Sequence, residues 1–284
     1  MGVTFEDSAD DLQSEQSVPK SRVNGIDLYY EVQGTGDPLL LIAGFSCDHT
    51  IWSLVVPALA ARYRVILLDN RGIGQSSGAE TVTSIRQMAE DAAGLLDAIG
   101  LKPVHVAGHS MGGLIAQELA LAHPELVQSL LLLSTFAQID ERGKAITASW
   151  AELPRRVDPI TMTRLLLPWM YTRAFYAKPT AIERVIERIL ANPYPPSPEV
   201  ISGQSRAIQT FQSSGGLGNL NCPTGVLVGS EDILTPVAHS EQLMQSIPNA
   251  ELVVLEETGH GMLIESPKQL ADAMLALLAR QRGD

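Results

Sequence analysis

Basic residues are scarce in this chain: 20 Lys and Arg stand against 32 Asp and Glu over 284 residues, a formal charge of −12. Such a field repels phosphate backbones and anionic lipid, so neither nucleic acid nor a membrane surface is an expected partner. Long hydrophobic runs are missing as well. Stretches such as "LLLIAGF" fall far short of the roughly 20 apolar residues that a membrane-spanning helix needs. Only two cysteines occur, Cys47 and Cys222, far apart and without a C-x-x-C partner, which excludes a disulfide framework. There is no Asn-x-Ser/Thr acceptor, and the opening stretch lacks the basic and apolar regions of a signal peptide, so the expected compartment is the cytoplasm. No H-E-x-x-H spacing and no calcium-loop pattern is present, and neither a metal nor an organic cofactor is expected.

What remains is ordinary globular material, 45% hydrophobic and 18% charged. Residues 1–18 read as an acidic disordered tail. From Ser21, Asn24-Gly25 marks a hairpin between alternating segments. Continuous apolar runs follow: "PLLLIAG", "YRVILLD", "PVHVAG", "VQSLLLLS", "CPTGVLVGS" and "ELVVLEE", which read as strands buried on both faces. Helical patterns lie between most of them, at about 52–62, 84–99, 111–123, 237–246 and 267–280. Alternation of this kind implies a mainly parallel, doubly wound α/β sheet of about eight strands.

The alternation breaks over residues 136–213, where helical segments such as "PTAIERVIERIL" are separated by "NPYPPSP". The expected organisation is therefore a core in two parts, 19–135 and 214–284, with a helical lid inserted after the sixth strand. Trp150, Trp169 and Phe136 in that segment are candidate pocket residues, together with His109. Arg155, Arg156, Arg164 and Arg173 could receive a substrate carboxylate, or could simply be solvated.

The run "VHVAGHSMGGLIAQELA" carries the chemistry. A buried strand ends in Gly-His-Ser-Met-Gly and an amphipathic helix begins, so Ser110 stands on a sharp turn with its hydroxyl exposed. Serine could be a plain helix cap, but a cap has no need of Gly108 and Gly112 on either side. A serine nucleophile requires a base and a carboxylate to orient that base. Two later strands end in "SEDILTP" and "TGHGML", which nominate Asp232 and His260, in the chain order Ser, Asp, His. Glu231 is an alternative acid one position away. The remaining histidines, His49, His105, His109, His123 and His239, read as surface or packing residues rather than bases. The backbone N–H groups of Met111 and Phe45 are the expected oxyanion donors.

These motifs, with "YRVILLDNRGIGQSS" and "TGHGMLIESP", resemble the α/β-hydrolase superfamily from Ser21 to Arg280. Within it the chain is most similar to small cofactor-free enzymes such as 3-oxoadipate enol-lactonases and carboxylesterases. The resemblance implies hydrolysis of a small ester or lactone through an acyl-serine. Thioester cleavage, C–C bond hydrolysis and perhydrolysis would fit the same triad, and a slow-turnover ligand receptor would retain it. One departure stands out: Ala43 occupies the place where this family usually has the histidine of the oxyanion loop. The segment "DNRGIGQSS" lacks the third glycine of a dinucleotide fingerprint and is expected to form the pocket floor.

Overall fold

The computed structural model describes residues 19–82, 84–213 and 216–282, so the acidic tail lies outside the described residues. Eight strands form one sheet: β1 (Lys20–Val23), β2 (Ile26–Gln33), β3 (Asp37–Ile42), β4 (Tyr63–Leu68), β5 (Val104–His109), β6 (Val127–Leu133), β7 (Thr224–Gly229) and β8 (Glu251–Leu255). Their spatial order is β1-β2-β4-β3-β5-β6-β7-β8. The first two strands pair antiparallel, as does β2 with β4, while every pairing from β4 to β8 is parallel. The hairpin falls at Asn24-Gly25, where both residues take positive φ (48° and 81°), as a tight turn between twisted strands requires.

The apolar runs of the inner strands are long because these strands bury both faces, whereas the run of β8, expected to be buried as well, lies at the sheet edge and leaves Leu252, Val253 and Val254 half-buried. Leu40 and Ile42 of β3 join Leu130 and Leu132 of β6 in one core layer, and Leu39, Leu41, Leu131 and Leu133 alternate into the other. Helices α2 (Ile85–Ala98) and α3 (Met111–Ala122) cover the first layer, the short α1 (Val56–Ala60) the second. At roughly 1.5–3 kcal/mol for each fully buried large aliphatic side chain, these two layers dominate the stability of the fold.

Among the described residues five α-helices run between β6 and β7: α4 (Glu141–Glu152), α5 (Pro159–Leu166), α6 (Arg173–Tyr176), α7 (Ala181–Leu190) and α8 (Pro198–Thr210). Their two ends meet where Gln138 bridges Gln212 and the Ser213 N–H donates to Ala137 O at 3.1 Å. The chain closes with α9 (Val237–Ser246), α10 (Met262–Glu265) and α11 (Pro267–Arg282). Leu243 of α9 joins the first core layer, while Leu270 and Met274 of α11 join the second.

The helix expected over 52–62 is interrupted. A 3₁₀ turn covers His49–Trp52, and α1 is only five residues long. Pro57 explains this, since it lacks an N–H and is tolerated only in the first turn of a helix. No described helix is long and apolar enough to cross a membrane.

Candidate active site

Ser110 sits between β5 and α3 with φ 55° and ψ −119°, a conformation that L side chains rarely adopt. Surrounding contacts hold it there: its N–H donates to Leu133 O at 2.8 Å, and Thr135 Oγ1 donates to its carbonyl at 2.8 Å. The flanking glycines are required by space. A Cβ on Gly108 would overlap the backbone of Gly112, and one on Gly112 would overlap the Ile42 carbonyl at the end of β3. Met111 opens α3, so its N–H is among those without an intrahelical acceptor.

Asp232 and His260 follow β7 and β8 and converge on this turn. His260 Nδ1 lies 2.9 Å from Asp232 Oδ2, and His260 Nε2 lies 3.1 Å from Ser110 Oγ. Asp232 is held from both sides: Oδ1 accepts the N–H groups of Leu234 (2.9 Å) and Thr235 (2.8 Å), and Oδ2 accepts Thr235 Oγ1 (2.8 Å). Burial acts to raise the Asp232 pKa, but the His260 charge and these bonds outweigh it and leave it below the usual carboxylate range. A carboxylate only accepts, so Nδ1 of His260 carries the proton and Nε2 offers its lone pair to the serine hydroxyl. Glu231 is exposed and takes no part in this relay.

The loop that carries His260 is tied to its neighbours at several points. Gly259 N–H donates to Glu265 Oε2 (2.9 Å), and Gly261 N–H donates to Met170 O (2.7 Å) in the helical segment. Glu265 Oε1 also accepts the Thr172 N–H at 3.2 Å. One carboxylate therefore joins the His260 loop to the helices above it.

A cavity of about 40 Å³ adjoins Ser110 and is mostly apolar, with Phe45, Met111, Phe136, Ile139, Trp150 and Ile208 in its wall. Phe45 and Trp150 stack with ring centres 6.3 Å apart. Phe136 and Trp150 thus occupy the wall that the sequence suggests for them, whereas His109 and Trp169 do not. His109, the last residue of β5, turns away and binds the His260 carbonyl. Trp169 lies with the Arg142 guanidinium 5.8 Å from its ring centre. Nor does the loop after β4 line the cavity as its floor; there Asn70 Nδ2 donates to Ala43 O at 3.2 Å.

None of the four arginines singled out from the sequence reaches the cavity. Arg155 pairs with Glu199 at 3.1 Å and Arg156 with Glu152 at 3.4 Å; Arg164 and Arg173 are exposed. Cys47, in the loop after β3, has its thiol pushed up to about 12 by burial, which suits packing and not reactivity. Among the described residues no cluster of three potential ligands could hold a metal ion.

His239 is the wall residue that sequence reasoning set aside. It stands in the first turn of α9, edge-on to Phe136, and also borders an open recess of about 410 Å³ with Asp140 and Gln242. A signal was present, since a helix opening at Pro236 just after Asp232 aims its first turn back at the same strand ends.

The family described as alpha/beta hydrolase fold matches residues 37–267. The chain belongs to the α/β-hydrolase family. Among α/β-hydrolases it is 32% identical, over 91% of its length and 97% of the relative's, to a proposed carbamate hydrolase, RutD, of Azorhizobium caulinodans. A thermophilic esterase from Thermogutta terrifontis is 31% identical over 93% of this chain and 98% of its own, with a TM-score of 0.82. The enol-lactonase from Burkholderia xenovorans LB400 has a TM-score of 0.83 over 92% of this chain and all (100%) of its own, at 24% identity, a likeness of fold alone.

Proposed function

We propose that this protein is a serine hydrolase that cleaves esters or lactones with a short, uncharged acyl part through an acyl-serine intermediate. The observation that carries the reading is the continuous relay Ser110 Oγ, His260 Nε2 and Nδ1, Asp232 Oδ2, at 3.1 and 2.9 Å, with the serine on a strained turn. His260 takes the hydroxyl proton as Ser110 attacks the carbonyl, returns it to the leaving oxygen, and then activates water. Asp232 keeps the imidazole in the working tautomer and stabilises its charged form. The N–H groups of Phe45 and Met111 receive the oxyanion, each worth about 2.7–4 kcal/mol in the transition state.

The cavity supports the acyl part of the assignment. A water needs roughly 10–15 Å³ on the same measure, so about 40 Å³ holds an acyl group of a few heavy atoms. Among the described residues the wall holds no Lys or Arg, which argues against a diacid whose free carboxylate must be bound. Thr147, Trp150 and Ile208 from the helical segment roof the cavity, so that segment acts as a lid, and it shares its attachment at Glu265 with the His260 loop.

The test is turnover of p-nitrophenyl acetate, with a methyl carbamate and a γ-lactone beside it, by the wild type, Ser110→Ala and Asp232→Asn. Expected are repeated cycles in the wild type, a kcat loss on the order of 10⁶ for S110A, and a loss on the order of 10⁴ for D232N. Full activity in S110A would overturn the assignment. One acylation event without further cycles would support a ligand receptor instead.

A further inference from the structure

Gln204 lies on α8, in the helical segment, and is fully buried at 0% exposure. Its Oε1 accepts the Ser46 N–H at 2.8 Å, 158 residues away in sequence. Ser46 follows Phe45 directly and has φ 62°, a left-handed conformation on a residue that is not glycine. The bond also fixes the orientation of the amide. A main-chain N–H can only donate, so the oxygen must face Ser46, and both Nε2 protons are turned the other way. There Nε2 is buried and has no hydrogen-bond partner among the described residues.

A half-satisfied buried amide is a net cost that Met or Leu at the same place would avoid. The oxygen's bond to Ser46 is the compensating feature, and its effect is local: it holds a strained residue next to the Phe45 N–H. The rest of α8 is seated to keep that oxygen in place. Ser205 Oγ donates to Thr147 O of α4 at 2.9 Å, and Ile208, one turn beyond Gln204, lines the cavity beside Phe45.

We infer that Gln204 is a positioning residue for the oxyanion loop, carried by the helical segment, so that this segment must be docked for the Phe45 N–H to be aimed. The inference rests on the hydrolase reading above. It assigns Gln204 no contact with substrate; it acts through Ser46.

The experiment compares Gln204→Met and Gln204→Glu with the wild type. Q204M replaces the amide by an apolar chain of similar length and removes the acceptor; Q204E keeps a carboxyl oxygen there. With p-nitrophenyl acetate, Q204M is expected to lose on the order of 10–100-fold in kcat with KM within about twofold, and Q204E to recover most of that loss. The Tm of Q204M should stay close to wild type, because removal of the unpaired Nε2 donor offsets the loss of the acceptor for the Ser46 N–H. Hydrogen exchange of the amides at 44–48 should be fast in Q204M and slow in the other two. Wild-type kcat in Q204M, a loss confined to KM, or unchanged exchange would overturn the assignment. Absence of Ser110-dependent turnover in the wild type would instead overturn the hydrolase reading, and with it any catalytic meaning of the bond, even where exchange showed the loop anchored.

Discussion

His109 donates from Nε2 to the main-chain oxygen of His260 at 3.0 Å, and the two imidazole rings stand 5.0 Å apart. Complete burial, and next the neighbouring His260 charge, push the His109 pKa down to about 3, so this ring stays neutral wherever the protein is folded. It supports the His260 loop without exchanging protons. His109→Phe should therefore lower kcat, on the order of 10–100-fold through misplacement of His260, and leave a single ionisation in the acid limb of kcat/KM. A wild-type acid limb that needs two protons would contradict this.

Trp150 lines the cavity beside Ser110, and on the proposed function it would limit the length of the acyl group held there. It is buried and stacked on Phe45, and both rings line the cavity that Ser110 borders. Trp150→Ala should move the preference from acetate toward butyrate and hexanoate esters, with each added methylene gaining up to about 10-fold in kcat/KM relative to acetate. The same change leaves a void and should cost about 3–5 kcal/mol of stability. Steady-state kinetics over an acyl series, with denaturant unfolding beside it, reads both effects. An unchanged chain-length profile would remove Trp150 from the acyl site.

Much of this arrangement was legible in the sequence, and the residues that were not share a cause. Ser110 and Asp232 follow buried apolar runs and His260 a half-buried one, and strand ends in a parallel sheet converge on one edge, so local pattern suffices to bring them together. Asn24-Gly25 was equally plain, because its turn depends on two residues alone. Gln204 gave no such sign, and His239 only the indirect one of a helix that opens just after Asp232. Each sits in an ordinary amphipathic helix, and what matters is where that helix docks, a matter of tertiary packing that periodicity does not encode. Trp169 misled for the same reason: an aromatic in the helical segment can face the cavity or, as here, a neighbouring arginine.

Arg71 and Asp91 form a bidentate pair, Nε to Oδ2 and Nη2 to Oδ1 both at 2.7 Å, with each side chain 3% exposed. The pair joins the loop after β4 to α2, and Asn24 of the β1–β2 turn adds a bond to Asp91 Oδ1 at 3.1 Å. Removing one partner strands a buried charge. Asp91→Ala should cost about 3–5 kcal/mol, whereas an Arg71→Met and Asp91→Leu double variant should recover a large part of it. Urea unfolding of the three proteins checks this; a double variant no better than D91A would mean that the pair itself stabilises the fold.

His49 supplies the pH dependence. It lies between two carboxylates, with Nδ1 2.7 Å from Asp69 Oδ1 and Nε2 3.1 Å from Glu31 Oε1, and its ring rests near Tyr29 at 5.2 Å. Burial acts to lower the His49 pKa, but the Asp69 bond and the charges of Asp69, Glu31 and Asp48 outweigh it and raise it above 6.5. Glu31 moves the other way: burial would raise it, and the Tyr29 bond with the His49 charge brings it below 4.5. A histidine whose pKa is higher in the folded state contributes stability that is complete below about 6.5 and fades as pH rises through the folded value. A carboxylate held low contributes above about 4.5 and fades as pH falls through its folded value. The two contributions overlap between those limits. The Tm gap between the wild type and His49→Gln should therefore be widest near pH 5.5 and should narrow steadily into the alkaline range. Thermal unfolding from about pH 5 to 9 reads it directly. A gap that is constant, or that widens with pH, would mean that the imidazole acts here only as a neutral hydrogen-bonding spacer.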